Sequence, residues 1–167
     1  MFEDKFSQRV IPLPAYFFPL LEVIYYFGLN LCISLDSVPV KNFCLLYVIP
    51  LRTFYQNNLL LIFATMVVVF TTCSKGSVRL TRFVRFNIIQ AILFNIAISC
   101  LGQVYLLCPV QIRESYLLTN LIVNPAALGL IFVLLYACLQ VILGRYPKFP
   151  IITDAARLQT QRGNLDI

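Results

Sequence analysis

Few side chains in this chain can do chemistry. Its 167 residues include seven acids, thirteen Lys and Arg, and no His. The lack of His removes the commonest metal ligand and general base. Six cysteines stand at 32, 44, 73, 100, 108 and 138, with no C-x-x-C pair, which argues against zinc-ribbon and thioredoxin-like chemistry. Cys73, Cys100, Cys108 and Cys138 lie within or at the ends of apolar runs, where cysteine behaves as a small hydrophobe. Neither H-E-x-x-H nor G-x-S-x-G occurs, so metalloprotease and serine-hydrolase machinery is not expected. The reading is of a chain that is not an enzyme and carries no cofactor or metal.

Three polar groupings remain. Glu22 is the single ionised residue in the apolar run 15–35. An acid at the middle of a membrane helix costs roughly 2.5–3.5 kcal/mol, so Glu22 must face protein or water. It serves either as a pathway contact or as one end of an interhelical hydrogen bond. Asn87, Ala91, Asn95, Ser99 and Gly102 repeat at i, i+4, i+8, i+12 and i+15, one small-and-polar stripe on a helix otherwise rich in Leu, Ile and Phe. Such a stripe is a packing seam or one wall of a hydrated groove. Gln90 and Gln103 flank it, and Asn120, Asn124 and Gln140 are spaced to answer it from a later run. Arg79, Arg82 and Arg85, at i, i+3 and i+6, stack as the third run begins. They read as a cluster attracting anionic headgroups or as a dock for a partner.

The elements that position these groups follow from composition. The chain is 60% hydrophobic and 12% charged, with mean hydropathy +0.84; an ordinary soluble domain carries about twice that share of charge. The excess is gathered into long runs, which specifies an all-α membrane protein and excludes disorder for most of the length. A nucleic-acid partner is not expected despite the net charge of +6. Spans are expected at about 15–35, 57–74, 86–108 and 117–143, each near the ~20 residues needed to cross ~30 Å of hydrocarbon. The stretch 40–55, interrupted by Lys41, Pro50 and Arg52, reads as an interfacial amphipathic helix between the first and second spans. Asn124-Pro125 leaves two readings of the fourth span: a start at Pro125 with 117–123 at the interface, or one helix running through the proline. Residues 145–167 read as a polar tail, with a capped turn at Thr153-Asp154-Ala155-Ala156.

Four spans put the N-terminus, the 75–85 loop and the tail on one side. Ten of the thirteen Lys and Arg fall there, leaving Lys41, Arg52 and Arg113 opposite. Positively charged loops resist translocation, so both termini are expected to face the compartment of synthesis. The charged start, with Glu3, Asp4, Lys5 and Arg9, is unlike an acid-poor transit peptide, and a chain made where it is used is expected.

The segment R-F-V-R-F-N-I-I-Q-A at 82–91 resembles the R-F-V-R-F-N-x-x-Q-A signature of the Tic twenty-kilodalton subunit family, from the translocon at the inner envelope membrane of chloroplasts. L-P-A-Y-F-F-P-L-L-E at 13–22 and G-R-Y-P-K-F-P-I-I-T-D-A at 144–155 are similar to the family's first-span opening and post-span tail. The resemblance covers about residues 10–156. It implies a four-helix subunit of a protein-import complex in the plastid inner envelope, with termini in the stroma. The implied partners are other translocon subunits, preproteins in transit and the lipid bilayer. The start fits a plastid-encoded algal copy or a cyanobacterial relative. The competing reading is a small-solute or ion channel or transporter, with Glu22 and the stripe as its pathway.

Overall fold

Pro50 and Pro125 each follow a widened turn inside a helix, and the backbone passes both by the same device. The structure, a computed structural model, describes residues 8–34, 37–75, 80–113, 115–149 and 152–162, and all regular structure among them is helical. The helices are α1 (Gln8–Ser34), α2 (Val38–Asn57), α3 (Leu59–Lys75), α4 (Arg82–Leu107), α5 (Tyr116–Ile142) and α6 (Ile152–Arg162), with a single turn at Val110–Arg113 between α4 and α5. Pro50 follows a π-turn at Cys44–Val48, and Pro125 follows one at Thr119–Val123. Proline lacks an N–H, and its ring collides with the carbonyl four residues back. Those carbonyls belong to Leu46 and Leu121, both inside the widened turns, which close with i→i+5 bonds from Ile49 N–H to Cys44 O and from Asn124 N–H to Thr119 O. α5 is therefore one helix from Tyr116 onward, the second of the two readings of 117–143.

α1, α4 and α5 are long and apolar enough to cross a bilayer. α3 is not: its 17 residues reach about 25 Å against a core of ~30 Å. It qualifies only together with α2, from which it is bent by 75°, giving three spans, or four with the bent pair as one. The expected span 57–74 thus has a different start: Gln56 and Asn57 end α2, and α3 begins at Leu59. Asn58 makes the break. Its Nδ2 donates to Phe54 O at 2.8 Å and its backbone N–H to Phe54 O and Tyr55 O, so the last α2 carbonyls are satisfied locally and the helix stops.

α4 is the axis of the bundle. It is the most buried of the three long helices, well ahead of α1 and α5. α1 runs beside it in the same direction, Tyr16 opposite Asn87, Glu22 opposite Asn95 and Asn30 opposite Tyr105. α5 runs against α1, with Asn124 meeting Ser34 at one end and the Arg9 side chain lying over Gly144 at the other. The two ends of the described bundle, Arg9 and Gly144, therefore meet. α2 returns along α1: Cys44 is disulfide-bonded to Cys32, Val48 packs on Gly28, and Arg52 donates to Tyr25 O. α3 continues that return against α4. Outside, Leu45, Leu60, Leu121, Phe132 and Leu139 are exposed, a surface that only hydrocarbon stabilises.

The residues after α5 fold back onto the bundle. Phe149 packs edge-on against Phe94 and Tyr136, with centroids 4.9 and 5.6 Å apart, and Tyr146 packs on Phe83 and Phe86. α6 then buries Thr153, Ala156 and Thr160, one face at helical spacing.

The α1–α4 crossing depends on Gly102, where an added Cβ would collide with the Tyr26 ring. Gly102→Val is expected to destabilise the protein by about 1–3 kcal/mol through overpacking, read as a lower midpoint of thermal unfolding in detergent. Gly129→Ala is the control, since a Cβ there meets nothing within 4 Å and should leave the midpoint unchanged or slightly raised.

Candidate functional site

Glu22 lies in the middle of α1 and faces the stripe on α4. The residue is 4% exposed, and its Oε1 accepts from Asn95 Nδ2 at 3.4 Å. The hydroxyls of Ser99, one turn further along α4, and of Tyr55, in the last turn of α2, stand beside it. Neither is in bonding geometry with Oε2, which is buried without a partner. Glu22 borders a cavity of about 240 Å³, which it lines on the polar side with Tyr26, Tyr55, Asn95, Ser99 and Gln103 and which apolar residues of α3 wall on the other. Gln103 Nε2 donates to the Tyr26 hydroxyl at 2.7 Å. Within hydrocarbon, a break in a helix is tolerated where it is buried in protein or lines a cavity. Here the α2–α3 break and the buried acid share one cavity.

The remaining expected site residues divide among different places. Asn87, Asn95 and Ser99 face α1; Asn87 accepts from the Tyr16 hydroxyl at 3.5 Å and donates to Phe83 O at 2.8 Å. Gln90 is turned away from α1, because position 90 lies on the next face of α4, which the post-α5 segment covers. Its Nε2 reaches Pro147 O at 3.4 Å and Thr153 Oγ1 at 3.3 Å. Asn124 also lies apart from the stripe, donating to Ser34 Oγ at 2.6 Å and to Asn120 Oδ1 at 3.0 Å. The seam expected from 22, 87, 90, 95, 99 and 124 is thus three junctions: α1 with α4, α4 with the tail, and α5 with the end of α1.

The two described arginines of the cluster, Arg82 and Arg85, have different surroundings. Arg79 lies outside the described residues. Arg82 is exposed, whereas Arg85 is 8% exposed and donates from Nε to Cys73 O at 2.9 Å and from Nη2 to Ser74 O at 3.3 Å. A guanidinium on the last carbonyls of α3 satisfies groups the helix leaves open and complements its negative end. Arg85 is therefore a cap under α3, not an exposed half of a docking pair.

Three features carried no signal in the sequence reading. Tyr26 lies in an apolar run and Tyr55 reads as part of the apolar face of the 40–55 helix, and only the fold turns both toward Glu22. The Cys32–Cys44 bridge joins two cysteines twelve residues apart with no motif spacing. A larger cavity of about 590 Å³ opens at the far end of the bundle beside Asn30, Tyr105, Arg113 and Asn120, assembled from the ends of three helices.

Comparison with known proteins places these features in a family context. The family described as "Chloroplast import apparatus Tic20-like" matches residues 3–156. A Tic20 family protein of Synechocystis is 29% identical over 159 residues, covering 95% of this chain and 94% of that one. The Tic20 family protein Ycf60 of Cyanidium caldarium is 29% identical over 156 residues, 92% of this chain and 73% of its own. That of Porphyra purpurea is 26% identical over 161 residues, with coverage of 94% and 77%. No solved structure matches.

The segment 82–91 acquires a physical role from the contacts above. Arg85 caps α3, Asn87 meets α1, and Gln90 holds the segment that leads into α6. Replacing Gln90 by Leu removes both bonds to that segment, at a cost of about 1–2 kcal/mol. We expect trypsin in detergent to cleave after exposed Lys148 roughly 5–30 times faster in Gln90→Leu than in the wild type. An unchanged rate would mean that Phe149 and α6 hold the segment without Gln90.

Proposed function

From the premise that the chain belongs to the Chloroplast import apparatus Tic20-like family, we propose that it is a membrane subunit of a protein-import translocon of the plastid inner envelope and contributes to preprotein translocation. The observation that carries the reading is the family match over residues 3–156, which takes in every described span and the start of the tail helix. Its partners in this proposal are other translocon subunits, the preprotein in transit and the surrounding bilayer. The chain supplies a path and a packing surface, and no catalysis is assigned to it.

Orientation belongs to the same proposal. The bundle end that joins Arg9, the α3–α4 turn and Gly144 carries most of the Lys and Arg and would face the stroma. The Cys32–Cys44 bridge lies toward the opposite end, on the side where a disulfide persists more readily, away from the reducing compartment of synthesis. α2 would enter from that opposite interface and meet α3 at the depth of Glu22.

One observation favours the second reading, a small-solute or ion channel or transporter: the buried Glu22 stands in a cavity at a broken helix, an arrangement that transporters use for substrate and ion sites. Affinity isolation of the tagged chain from native membranes, with a preprotein arrested in transit, separates the two. Co-isolation of the preprotein and of further envelope proteins is the expected result. Solute flux through the purified chain alone, with neither preprotein nor partners retained, would select the channel. Tags at the two termini are expected to share protease accessibility in sealed, oriented vesicles; opposite accessibility would refute the stromal placement of both.

A further inference from the structure

Among the described residues, Glu22 is the only acid inside an apolar helix, and half of its carboxyl is left without a partner. Oε1 is bonded to Asn95 and Oε2 is buried without a partner, and Glu22 is one of the residues that line the 240 Å³ cavity. Tyr26, Tyr55 and Phe63 also border that cavity, so Glu22 shares it with three aromatic side chains. No Lys or Arg lines it among the described residues. The nearby Arg52 spends its Nε–H on Tyr25 O at 3.2 Å and lies 5.8 Å from the centre of the Tyr25 ring, and neither residue borders the cavity. α2 also ends here, and the C-terminus of a helix favours positive charge.

The lining discriminates among ligand classes. An anion would meet a carboxylate and aromatic π-faces, both repulsive. A neutral polyol would gain nothing from the aromatic faces, which attract positive charge. A bare divalent cation takes six or more oxygen ligands, and the α3 wall, made of Leu59, Ile62, Phe63 and Met66, supplies none. An organic ammonium matches each part: its N–H groups donate to the carboxylate in charge-assisted bonds, its charge lies against aromatic faces, and its carbons cover the apolar wall. The volume equals that of about eight waters at ~30 Å³ each, room for a four-carbon chain with its ammonium.

We propose that this cavity binds an alkylammonium group, that of a small amine or of a lysine side chain, with Glu22 as counter-ion and Tyr26, Tyr55 and Phe63 as the aromatic wall. The site stands whether or not the translocon reading does, since it rests on the cavity alone.

Cys100 offers a direct test, because it is exposed and borders the cavity, whereas Cys108 lies two turns further along, outside it. The full-length protein in detergent is treated with methanethiosulfonate reagents carrying either an ethylammonium or an ethylsulfonate group, and modification of each cysteine is followed by peptide mass spectrometry. The cation-to-anion rate ratio at Cys100 is expected to exceed that at Cys108 by about tenfold, and to fall to the Cys108 value in Glu22→Gln. Equal ratios in the wild type, or a preference that survives Glu22→Gln, would overturn the proposal. Should that variant fail to fold, protection of the wild type decides: n-butylammonium must slow cationic labelling of Cys100 and n-butanol must not. An apolar peptide of about 20 residues with one central Lys, and its Gln counterpart, identify the source. Protection by the Lys peptide at lower concentration than the free amine assigns a polypeptide side chain, and protection by the amine alone assigns a small solute. Protection by neither overturns the site.

Discussion

Two helices that pack side by side in the same direction oblige the chain between them to travel back the length of the bundle. α1 and α4 are such a pair, tied by Tyr16 to Asn87, Glu22 to Asn95 and Asn30 to Tyr105. The return is made by α2 along α1 and α3 along α4, with a 75° bend between them. A straight helix cannot follow both neighbours, so the return path breaks, and in hydrocarbon a break needs its open carbonyls satisfied. Asn58 does that at Phe54 and Tyr55. The break, the acid and the cavity are thus three consequences of one parallel pairing.

Polar groups at this depth are expensive, and their distribution shows how the fold limits the cost. Most buried side-chain donors reach an acceptor on a different helix: Asn95 on α1, Tyr16 on α4, Gln90 on the tail, Arg85 on α3. These bonds replace water that the bilayer cannot supply. Glu22 Oε2, Gln90 Oε1 and Asn124 Oδ1 are buried without a partner, and of these residues Glu22 and Asn124 line cavities. Small residues set the distances. Ala91 is fully buried on the α1 side of α4, and Gly102 admits the Tyr26 ring.

The segment 82–91 illustrates how a short motif can specify tertiary contacts. Its arginine closes α3, its asparagine meets α1 and its glutamine holds the chain beyond α5, so one helical turn after another addresses a different neighbour. Such a segment tolerates little exchange, because each side chain has a partner fixed by another element. The tail becomes part of the bundle by the same means: Thr153 accepts from Phe149 N–H at 2.7 Å and meets Gln90, while Phe149 fills the space beside Phe94.

By itself the sequence determined the class and the apolar runs, since transfer of apolar side chains from water depends on composition and hardly on neighbours. Periodicity also brought out the α4 stripe, because Asn87, Asn95 and Ser99 share a face by helical geometry alone. What stands opposite each stripe residue is not a local property. That Gln90 faces the tail, that Arg85 lies beneath α3, and that Tyr55 closes on Glu22 depend on which helices are neighbours and in which direction they run. The prolines show the same division: Pro50 and Pro125 announce a disturbance, but whether it becomes a break or a π-turn depends on the packing around it. The chain broke at Asn58, where α2 must leave α1 for α4, and ran on through both prolines. Only the tertiary structure decides that, because continuity of a helix in a bilayer is settled by where its released backbone groups find partners.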